Sequence, residues 1–409
     1  MAEIKPDIET FAKIKVIGVG GGGNAVVNRM IGAKIHGVEF LAINTDVQAL
    51  HSSIAPVKLH IGKTVTRGLG AGMNPELGRR AAEESQNEIR DILKGADMVF
   101  ITCGLGGGTG SGASPIVAEI ARDLGALTIA VVTKPFSFEG IKRTEIAKQA
   151  LEELSKKVDA IIIIPNDKLL KVIDKKTSLL DAFSVSDNVL LHGVQGIAEV
   201  ITVPALINLD FADVKAIMSE TGSSLMGLGK ATGENRATEA AKSAIESSLL
   251  DLSIDGAKGI LFTITGGSDL TLHEVNEAAE IITKSSNPKA KIIVGASVDE
   301  NLKDTVKITV VATGFGDSQS PINKDEVLDE NKNFMAENFS INSENNSQDN
   351  EEFSKKEDDD IFANSNKGEN NENEVVDENK KTDDVDNNMN NSDDDELDIP
   401  AFLRKKMFL

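Results

Sequence analysis

Short apolar runs alternate with longer amphipathic stretches through the first part of the chain. Five of these runs have the length and the β-branched composition of buried strands, at residues 14–19, 40–44, 98–103, 128–133 and 160–165. The stretches between them are long enough for helical crossovers. This alternation predicts an α/β fold built on a parallel, doubly wound sheet.

A helical pattern follows at residues 184–201, and Pro204 ends it. Strand patterns at 259–265, 291–295 and 306–313, with a helical pattern at 272–283, then predict a second, smaller α+β domain. The predicted organisation is a flexible N-terminal arm (1–12), a first domain (13–183), a central helix (184–203), a second domain (204–316), an acidic linker (317–396) and a terminal peptide (397–409).

Charge is concentrated near the end of the chain. The 409 residues carry a net charge of −22, and residues 317–396 hold 26 of the 65 acidic side chains but only 7 of the 43 basic ones. Because this linker has few apolar residues, it cannot bury enough surface to offset the entropy of ordering it. It is predicted to be a disordered tether with a root-mean-square reach of about 50 Å.

The terminal peptide differs abruptly from the linker. Residues 397–407 are apolar and basic, and they follow four consecutive acidic residues. A short amphipathic motif on a long tether is typical of a peptide that becomes ordered on a protein partner. A frayed terminus is the alternative.

Composition excludes several other classes of protein. The acidic balance argues against a nucleic-acid-binding surface, and the single cysteine, Cys103, excludes an internal disulfide framework and a multi-cysteine metal cluster. The chain has no apolar run long enough to span a bilayer, and its first eleven residues are too polar for a secretory signal. We therefore expect a cytoplasmic protein that does not insert directly into the membrane.

Two glycine-rich segments follow predicted strands and precede predicted helices. The first, residues 18–23, has GxGxxG spacing, which lets the backbone approach a phosphate but also fits a dinucleotide enzyme or a plain tight turn. The second, residues 104–112, has six glycines in nine residues, which is entropically unfavourable unless the segment wraps an anion. No lysine follows, so it is not a P-loop, and backbone N–H groups and hydroxyls would hold the phosphates.

A third glycine segment, residues 68–72, could close over a terminal phosphate, and three such segments suggest a triphosphate. Other candidates are ambiguous by themselves. Glu139 and Arg143 could bond a ribose and a phosphate or form a surface ion pair. Phe183 could belong to the core, and Asp187 could cap a helix.

Together these motifs resemble the tubulin/FtsZ family. The segment GGGTGSG at 106–112 resembles the family signature, and the resemblance extends in order over residues 14–316, including NTD at 44–46, GLGAG at 68–72, TKPF at 133–136 and NLDFADV at 208–214. It continues in DIPAFL at 398–403 but not in the acidic linker. The resemblance implies a GTP-binding first domain, a central helix, a second domain, and a GTP-dependent polymer that forms the cytokinetic ring.

The resemblance also assigns roles to residues. The predicted GTP contacts are Gly20, Gly21, Gly22, Gly23, Asn24, Ala25, Ala71, Gly72, Gly108, Thr109, Gly110, Glu139, Arg143, Asn166, Phe183 and Asp187, with Mg²⁺ as a second cofactor. Phe183 would stack on guanine, and Asp187 would accept hydrogen bonds from its N1 and N2 groups, which adenine cannot offer. Asn24 stands one position earlier than in the usual family pattern, which puts its base contact in question.

The predicted catalytic residues are Asn208, Asp210 and Asp213. Asp210 lies beyond the central helix and Asp187 near its start, so a helix of that length would separate them by about 30 Å. A shared site would then need a second copy of the chain in a head-to-tail polymer. The resemblance also implies that membrane adaptors and division regulators bind the peptide at 398–407, and no nucleic-acid partner is expected.

Two other readings stay open at this stage. An NAD-dependent oxidoreductase would use the first glycine segment and would need a proton-transferring residue, but none of the five histidines stands in a recognisable motif. A nucleotide-binding module that never hydrolyses is the second, and the acidic segment at 208–213 speaks against it. Without the resemblance, Asp210 and Asp213 read as a solvated pair or a helix cap.

Overall fold

The structure of the protein is a computed structural model that describes residues 12–169, 177–202, 207, 209–246, 254, 256–300 and 302–315. The acidic linker, the terminal peptide and Asn208 lie outside these residues, as does the N-terminal arm up to residue 11. None of the helices in the described ranges is both long enough and apolar enough to cross a membrane.

Ten strands form one continuous sheet in the order β3-β2-β1-β4-β5-β6-β7-β10-β8-β9. The strands are β1 (Ile14–Val19), β2 (Val38–Asn44), β3 (Val57–His60), β4 (Met98–Gly104), β5 (Leu127–Lys134), β6 (Ala160–Pro165), β7 (Gly222–Thr232), β8 (Gly259–Gly266), β9 (Lys291–Val298) and β10 (Thr305–Thr313). The first six strands are parallel to their neighbours. Their order confirms the predicted doubly wound sheet.

The helices connect these strands. They are α1 (Gly20–Gly32), α2 (Val47–Ser52), α3 (Pro75–Glu84), α4 (Gln86–Leu93), α5 (Gly108–Asp123), α6 (Ile141–Ser155), α7 (Asn166–Leu169), α8 (Leu179–Thr202), α9 (Phe211–Met218), α10 (Arg236–Ile245) and α11 (Leu272–Lys284), with a 3-10 turn at Ser137–Glu139.

Alternating side chains of the parallel strands supply two separate cores. Val16 and Phe100 face the core that contains buried residues of α1, α8 and α9, whereas Ile17 and Ile101 face the core that contains residues of α3, α4, α5 and α6. Because neighbouring residues of a strand point to opposite faces, strands covered on both sides must be apolar throughout. This explains why the five predicted strands read as continuous apolar runs.

Strand β7 joins the two halves of the sheet. Its first residues pair in parallel with β6, from Gly222 to Ser224, and the rest of the strand pairs antiparallel with β10. Beyond it, β10 is antiparallel to β8, and β8 is parallel to β9. The second, mixed α/β region is therefore present as predicted, but it continues the first sheet through one shared strand.

Helix α8 is the predicted central helix, and it is longer at its start than residues 184–201. Gly193 and Gly196 let it approach the sheet, since a Cβ on them would lie 2.8 Å from Met226 Sδ and 3.0 Å from Thr309 Cγ2. Lys307 of β10 bonds to His192 Nδ1 at 2.8 Å. Burial and the nearby lysine lower the pKa of His192 to about 4, so the neutral ring accepts this bond.

Helices α3 and α5 touch backbone to backbone. A Cβ on Gly112 of α5 would lie 1.9 Å from the carbonyl oxygen of Pro75, and a Cβ on Gly78 of α3 would lie 2.3 Å from that of Gly108. These are impossible contacts, so glycine is required sterically at both positions. The packing fixes the start of α5 against α3.

We expect Gly112→Ala to lower the free energy of unfolding by about 1–3 kcal/mol, because the added methyl group must push α3 away from α5. Gly32→Ala is the matched control, since Gly32 also lies in a helix but a Cβ there meets open space. The control should be neutral or slightly stabilising. Urea denaturation measures both, and equal midpoints would contradict the steric argument.

Candidate functional site

The candidate site lies at the carboxyl ends of the parallel strands. Here β1 runs into Gly20, β4 into the second glycine segment, and β5 into the 3-10 turn at Ser137–Glu139. Ligands of open α/β sheets bind at this edge, where neighbouring connections diverge. The structure therefore brings the three glycine segments to one edge, as the sequence pattern required.

Two of the three glycine segments run into the first turns of helices, although glycine is a poor helix former. Helix α1 begins at Gly20 and α5 begins at Gly108. The first N–H groups of a helix have no intrahelical acceptor, and neither helix has a side-chain cap that would occupy them. The N–H of Gly108 donates to the carbonyl oxygen of Gly72, so the donors left for an anion are the other N–H groups of the two first turns, beside the positive ends of both helix dipoles.

The two helix starts meet each other. Gly20 has a φ of 73°, and a Cβ there would lie 2.9 Å from the backbone nitrogen of Gly110. A Cβ on Gly110 would in turn lie 2.8 Å from the carbonyl oxygen of Gly104. Because neither position can hold a side chain, the starts of α1 and α5 lie in direct contact. The backbone N–H groups of both helix starts can therefore bind the same ligand.

The third glycine segment closes against the second. The backbone N–H of Gly108 donates to the carbonyl oxygen of Gly72 at 2.7 Å, and Ala71 beside it is buried. The hydroxyls of Thr45 and Thr109 lie 2.6 Å apart and are buried. These bonds hold the segment at 68–72 and the one at 44–46 against the start of α5.

The first turn of α1 divides into an exposed side and a buried side. Gly21, Gly22 and Ala25 are exposed at the candidate site. Asn24 is buried. Its side-chain amide nitrogen donates to the carbonyl oxygens of Gly18 and Gly20, and its amide oxygen accepts from the side-chain amide of Asn44. Its amide thus ties the glycine segment together, and a contact of Asn24 with a ligand stays a prediction.

Glu139 and Arg143 form the ion pair that the sequence left open. Arg143 Nη1 lies 2.7 Å from Glu139 Oε2, while Glu139 Oε1 accepts from the N–H of Phe136 at 2.9 Å. The glutamate is thereby fixed on both oxygens. A Cβ on Gly106 would lie 3.0 Å from the carbonyl oxygen of Arg143, so the pair stands directly beside the second glycine segment.

An aromatic side chain and a carboxylate lie on the first half of α8. Phe183 is 39% exposed and contacts the buried Phe136 edge-on at 5.4 Å, so it is not a core residue. Asn166 is buried and accepts from Ser186 at 2.8 Å. Asp187 lies eight residues inside the helix that begins at Leu179, which excludes a capping role.

Asp187 faces Arg29 of α1. Arg29 Nε and Asp187 Oδ2 are 3.4 Å apart, and Arg29 Nη2 donates to Ser184 Oγ at 2.9 Å. Burial raises the pKa of the Asp187 carboxyl above its usual range, and Arg29 opposes that shift. Sequence reasoning missed Arg29, because a single arginine in an amphipathic helix gives no signal of its own.

Two of the predicted catalytic residues, Asp210 and Asp213, lie elsewhere. Asp210 caps α9 by accepting from the N–H of Ala212 at 3.1 Å, so the helix-cap alternative is structurally correct. Asp210 and Asp213 are both exposed, and neither has an ion-pair partner in the described ranges. Asp187 lies fifteen residues before the end of α8, so the helix contributes about 22 Å to the distance between Asp187 and Asp210. The predicted separation of about 30 Å assumed a helix that spans more of the interval between the two residues.

Comparison with known families gives two matches. Residues 13–174 match the model of the GTPase domain of the tubulin/FtsZ family. Residues 222–316 match the model of the C-terminal domain of the FtsZ family. Together the matched segments contain every predicted site residue except Phe183, Asp187, Asn208, Asp210 and Asp213.

Solved structures resemble the chain over most of their length. An empty FtsZ dimer from M. jannaschii is 48% identical, with a TM-score of 0.73 over 75% of this chain and 89% of that one. A point mutant of FtsZ from the same organism gives the same identity and TM-score over 75% and 92%. CetZ2 from Haloferax volcanii, a protofilament bound to GTPγS, shares the fold at 20% identity, with a TM-score of 0.65 over 81% and 99%.

Proposed function

The chain belongs to the tubulin/FtsZ family of GTPases, and on that premise we propose that it assembles the cytokinetic ring at the bacterial division site, with GTP hydrolysed between head-to-tail subunits. GTP binding, GTPase activity and a filament-forming, tubulin-like character follow from the family. The ring, the mid-cell location and the dependence of hydrolysis on assembly are our proposal.

The observation that carries the proposal is the separation of two sets of groups within one chain. The anion-binding helix starts lie at the carboxyl edge of the sheet, while Asp210 and Asp213 lie beyond the far end of α8. One nucleotide cannot reach both within one subunit. A second copy that docks head-to-tail would bring its acidic groups to the first copy's nucleotide. A heterologous contact of this kind can repeat from subunit to subunit into an open filament.

The names of two similar structures fit this arrangement. One is an FtsZ dimer, and the other is a CetZ2 protofilament bound to a GTP analogue. The dimer and the protofilament are states of those two proteins. For this chain we propose the same kind of self-association, in which the repeated contact completes the site.

In the proposed reaction, the free N–H groups at the starts of α1 and α5 bind the phosphates. Glu139, Arg143 and Asn166 face the ribose, Phe183 stacks on the base, and Asp187 accepts from the base edge. The exposed carboxylates of Asp210 and Asp213, with Asn208, orient the attacking water at the terminal phosphate of the neighbouring subunit. Fixed donors around the transferred group would stabilise its charge without reorganisation.

Mg²⁺ fits this donor set as a partner of the nucleotide. Within the described ranges no group of three or more His, Cys, Asp or Glu side chains could hold a metal ion alone. Mg²⁺ commonly takes most of its ligands from phosphate oxygens and water, with few from the protein. When bound, it would neutralise phosphate charge during transfer.

The concentration dependence of GTPase activity tests the proposal. We expect the activity per subunit to rise steeply above a threshold protein concentration, because only assembled subunits have complete sites. Phosphate release with GTP, measured alongside light scattering, should show both signals rise at the same threshold, with ATP inactive. A rate per subunit that is flat over the whole concentration range would contradict a shared site.

We propose further that the terminal peptide at 397–409 binds membrane adaptors and division regulators, and that the acidic linker acts as its tether. Charge and composition of these segments support this. A chain that ends at Leu397 serves as the control in the same experiment, since it should assemble and hydrolyse GTP with the threshold of the full chain. A lost threshold would show that the peptide takes part in assembly itself.

A further inference from the structure

Arg29 stands beside the group that would read the base, although no motif assigns it a role. It lies on α1, which also carries the first glycine segment, and its guanidinium faces one turn of α8. One end of the guanidinium is anchored, since Nη2 donates to Ser184 Oγ at 2.9 Å. Ser184 and Asp187 are three residues apart on α8, so the guanidinium spans both on one face.

The contact with Asp187 is an ion pair on one oxygen. Arg29 Nε lies 3.4 Å from Oδ2, and Nε has no hydrogen-bond acceptor although it is buried. No donor from a described residue reaches Oδ1 of Asp187. One oxygen therefore faces the arginine, and the other is free for a ligand.

Resting on the proposed function, we propose that Arg29 is a positioning residue for guanine recognition, which holds Asp187 as an oriented carboxylate so that its free oxygen faces the base. Guanine offers two adjacent donors to such a carboxylate, whereas adenine offers a donor and an acceptor. A protonated or rotated Asp187 would lose this discrimination, because it could no longer accept both bonds.

The electrostatics of the site support this role. The Asp187 side chain is only 21% exposed, and burial raises the pKa of its carboxyl. The positive charge of Arg29, on α1, lowers the pKa of Asp187 and so opposes the effect of burial. Helix α7 contacts α8 next to Asp187 through an uncharged pair, Asn166 and Ser186. Removing the guanidinium would therefore raise the pKa of Asp187 further.

The sign of the pH effect follows directly. If guanine needs the ionised carboxylate of Asp187, GDP binds with full affinity above the pKa of Asp187 and loses affinity as the pH falls through that pKa. With Arg29→Gln this loss should begin at a higher pH than in the parent chain. Below that point the affinity should fall about tenfold per pH unit, because one proton competes with the base.

The experiment is a titration of the full chain with GDP and Mg²⁺ by calorimetry, over the range from about pH 8 to about pH 5. Arg29→Gln should bind GDP more weakly at low pH and approach the parent at high pH, while Arg29→Lys, which keeps the charge, should stay close to the parent profile. Arg90→Gln is the control. Arg90 lies on α4 and faces Asp123 of α5 at 3.9 Å, and its replacement should leave the pH profile of GDP binding unchanged.

Two further variants exclude a merely structural role. Asp187→Asn should abolish the pH dependence, and adding Arg29→Gln to it should change the GDP affinity little, since Arg29 acts through Asp187. Ser184→Ala removes only the anchor of the guanidinium and should shift the profile in the same direction by less. It keeps the test available if Arg29→Gln does not fold.

A GDP affinity of Arg29→Gln that is lower by the same factor at every pH, or higher than that of the parent, would overturn the inference. Failure of the proposed function is separate from this outcome. GDP binding by isolated subunits needs no assembly, so a GTPase rate independent of protein concentration would contradict the shared site and leave the role of Arg29 intact. A parent chain that binds no GDP would refute both.

Discussion

Asp210→Asn is expected to bind GTP and assemble as the parent chain does, while its GTPase rate falls by about a hundredfold or more. The substitution removes a negative charge from an exposed side chain that we place against the neighbour's terminal phosphate. Loss of one positioned polar group in a reaction site commonly reduces the rate by about 10²–10³. Phosphate release, GDP affinity and pelleting with GTP measure the three properties.

The choice of asparagine separates catalysis from folding. Asp210 caps α9, and asparagine caps helices about as well as aspartate does, whereas Asp210→Ala loses the cap at a cost of about 0.5–2 kcal/mol. Both variants should lose the same GTPase activity, but only the alanine variant should lose stability. Glu220→Gln is the charge control, since this glutamate lies just beyond the other end of α9 and is 82% exposed.

Either of two results would contradict the assignment. A full GTPase rate in Asp210→Asn would show that the carboxylate is only a helix cap. Weakened GDP binding in the same variant would place Asp210 at the nucleotide pocket of its own subunit, which the length of α8 opposes.

A mixture of two inactive variants is expected to regain GTPase activity. Gly20→Ala should reduce GTP affinity by about a hundredfold, because alanine is strained at a φ of 73° and its Cβ would lie 2.9 Å from the Gly110 nitrogen. Asp210→Asn keeps the pocket but lacks the acidic group. In a mixed polymer, the pocket of one variant meets Asp210 of the other and completes a site.

Each variant alone should be nearly inactive, and an equal mixture should recover up to about a quarter of the parent activity if the two assemble at random. Phosphate release from the mixture is compared with the sum of the two separate rates. Asp187→Asn replaces Gly20→Ala if that variant does not fold. A mixture no more active than the sum would mean that each subunit completes its own site.

The sequence pattern was sufficient for the strands that are buried on both faces. All five strands predicted in the first part of the chain are present, and each of their ends lies within two residues of the predicted one. These strands have apolar residues on both faces, so a run of them carries its own signal. The same argument accounts for β8 and β10, whereas β9 is an edge strand in which only Gly295 and Ala296 are buried.

Two strands gave no such signal. β3 is a short edge strand whose residues are exposed or half-buried, so its composition is mixed. β7 contains three glycines among its eleven residues and takes its conformation from pairing with β6 and β10. Long-range pairing of this kind overrides local β-propensity, which glycine lowers.

The candidate site was predictable in its position but not in its local structure. Glycine spacing after two strands indicated anion binding, but it gave no sign that the glycines themselves form helical turns, because glycine is a poor helix former. The structure shows why glycine is required in these first turns, since a Cβ on Gly23 would lie 2.3 Å from the carbonyl oxygen of Thr102. Collisions of this kind depend on elements far apart in the chain.

The half-exposed ring of Phe183 also has a practical consequence, since the chain contains neither tryptophan nor tyrosine. The protein therefore has only the weak intrinsic fluorescence of phenylalanine, and Phe183→Trp would introduce a single tryptophan fluorophore. That indole would lie beside Phe136 at the face proposed for the base, with no background to subtract. Nucleotide exchange could then be followed in real time without any attached dye.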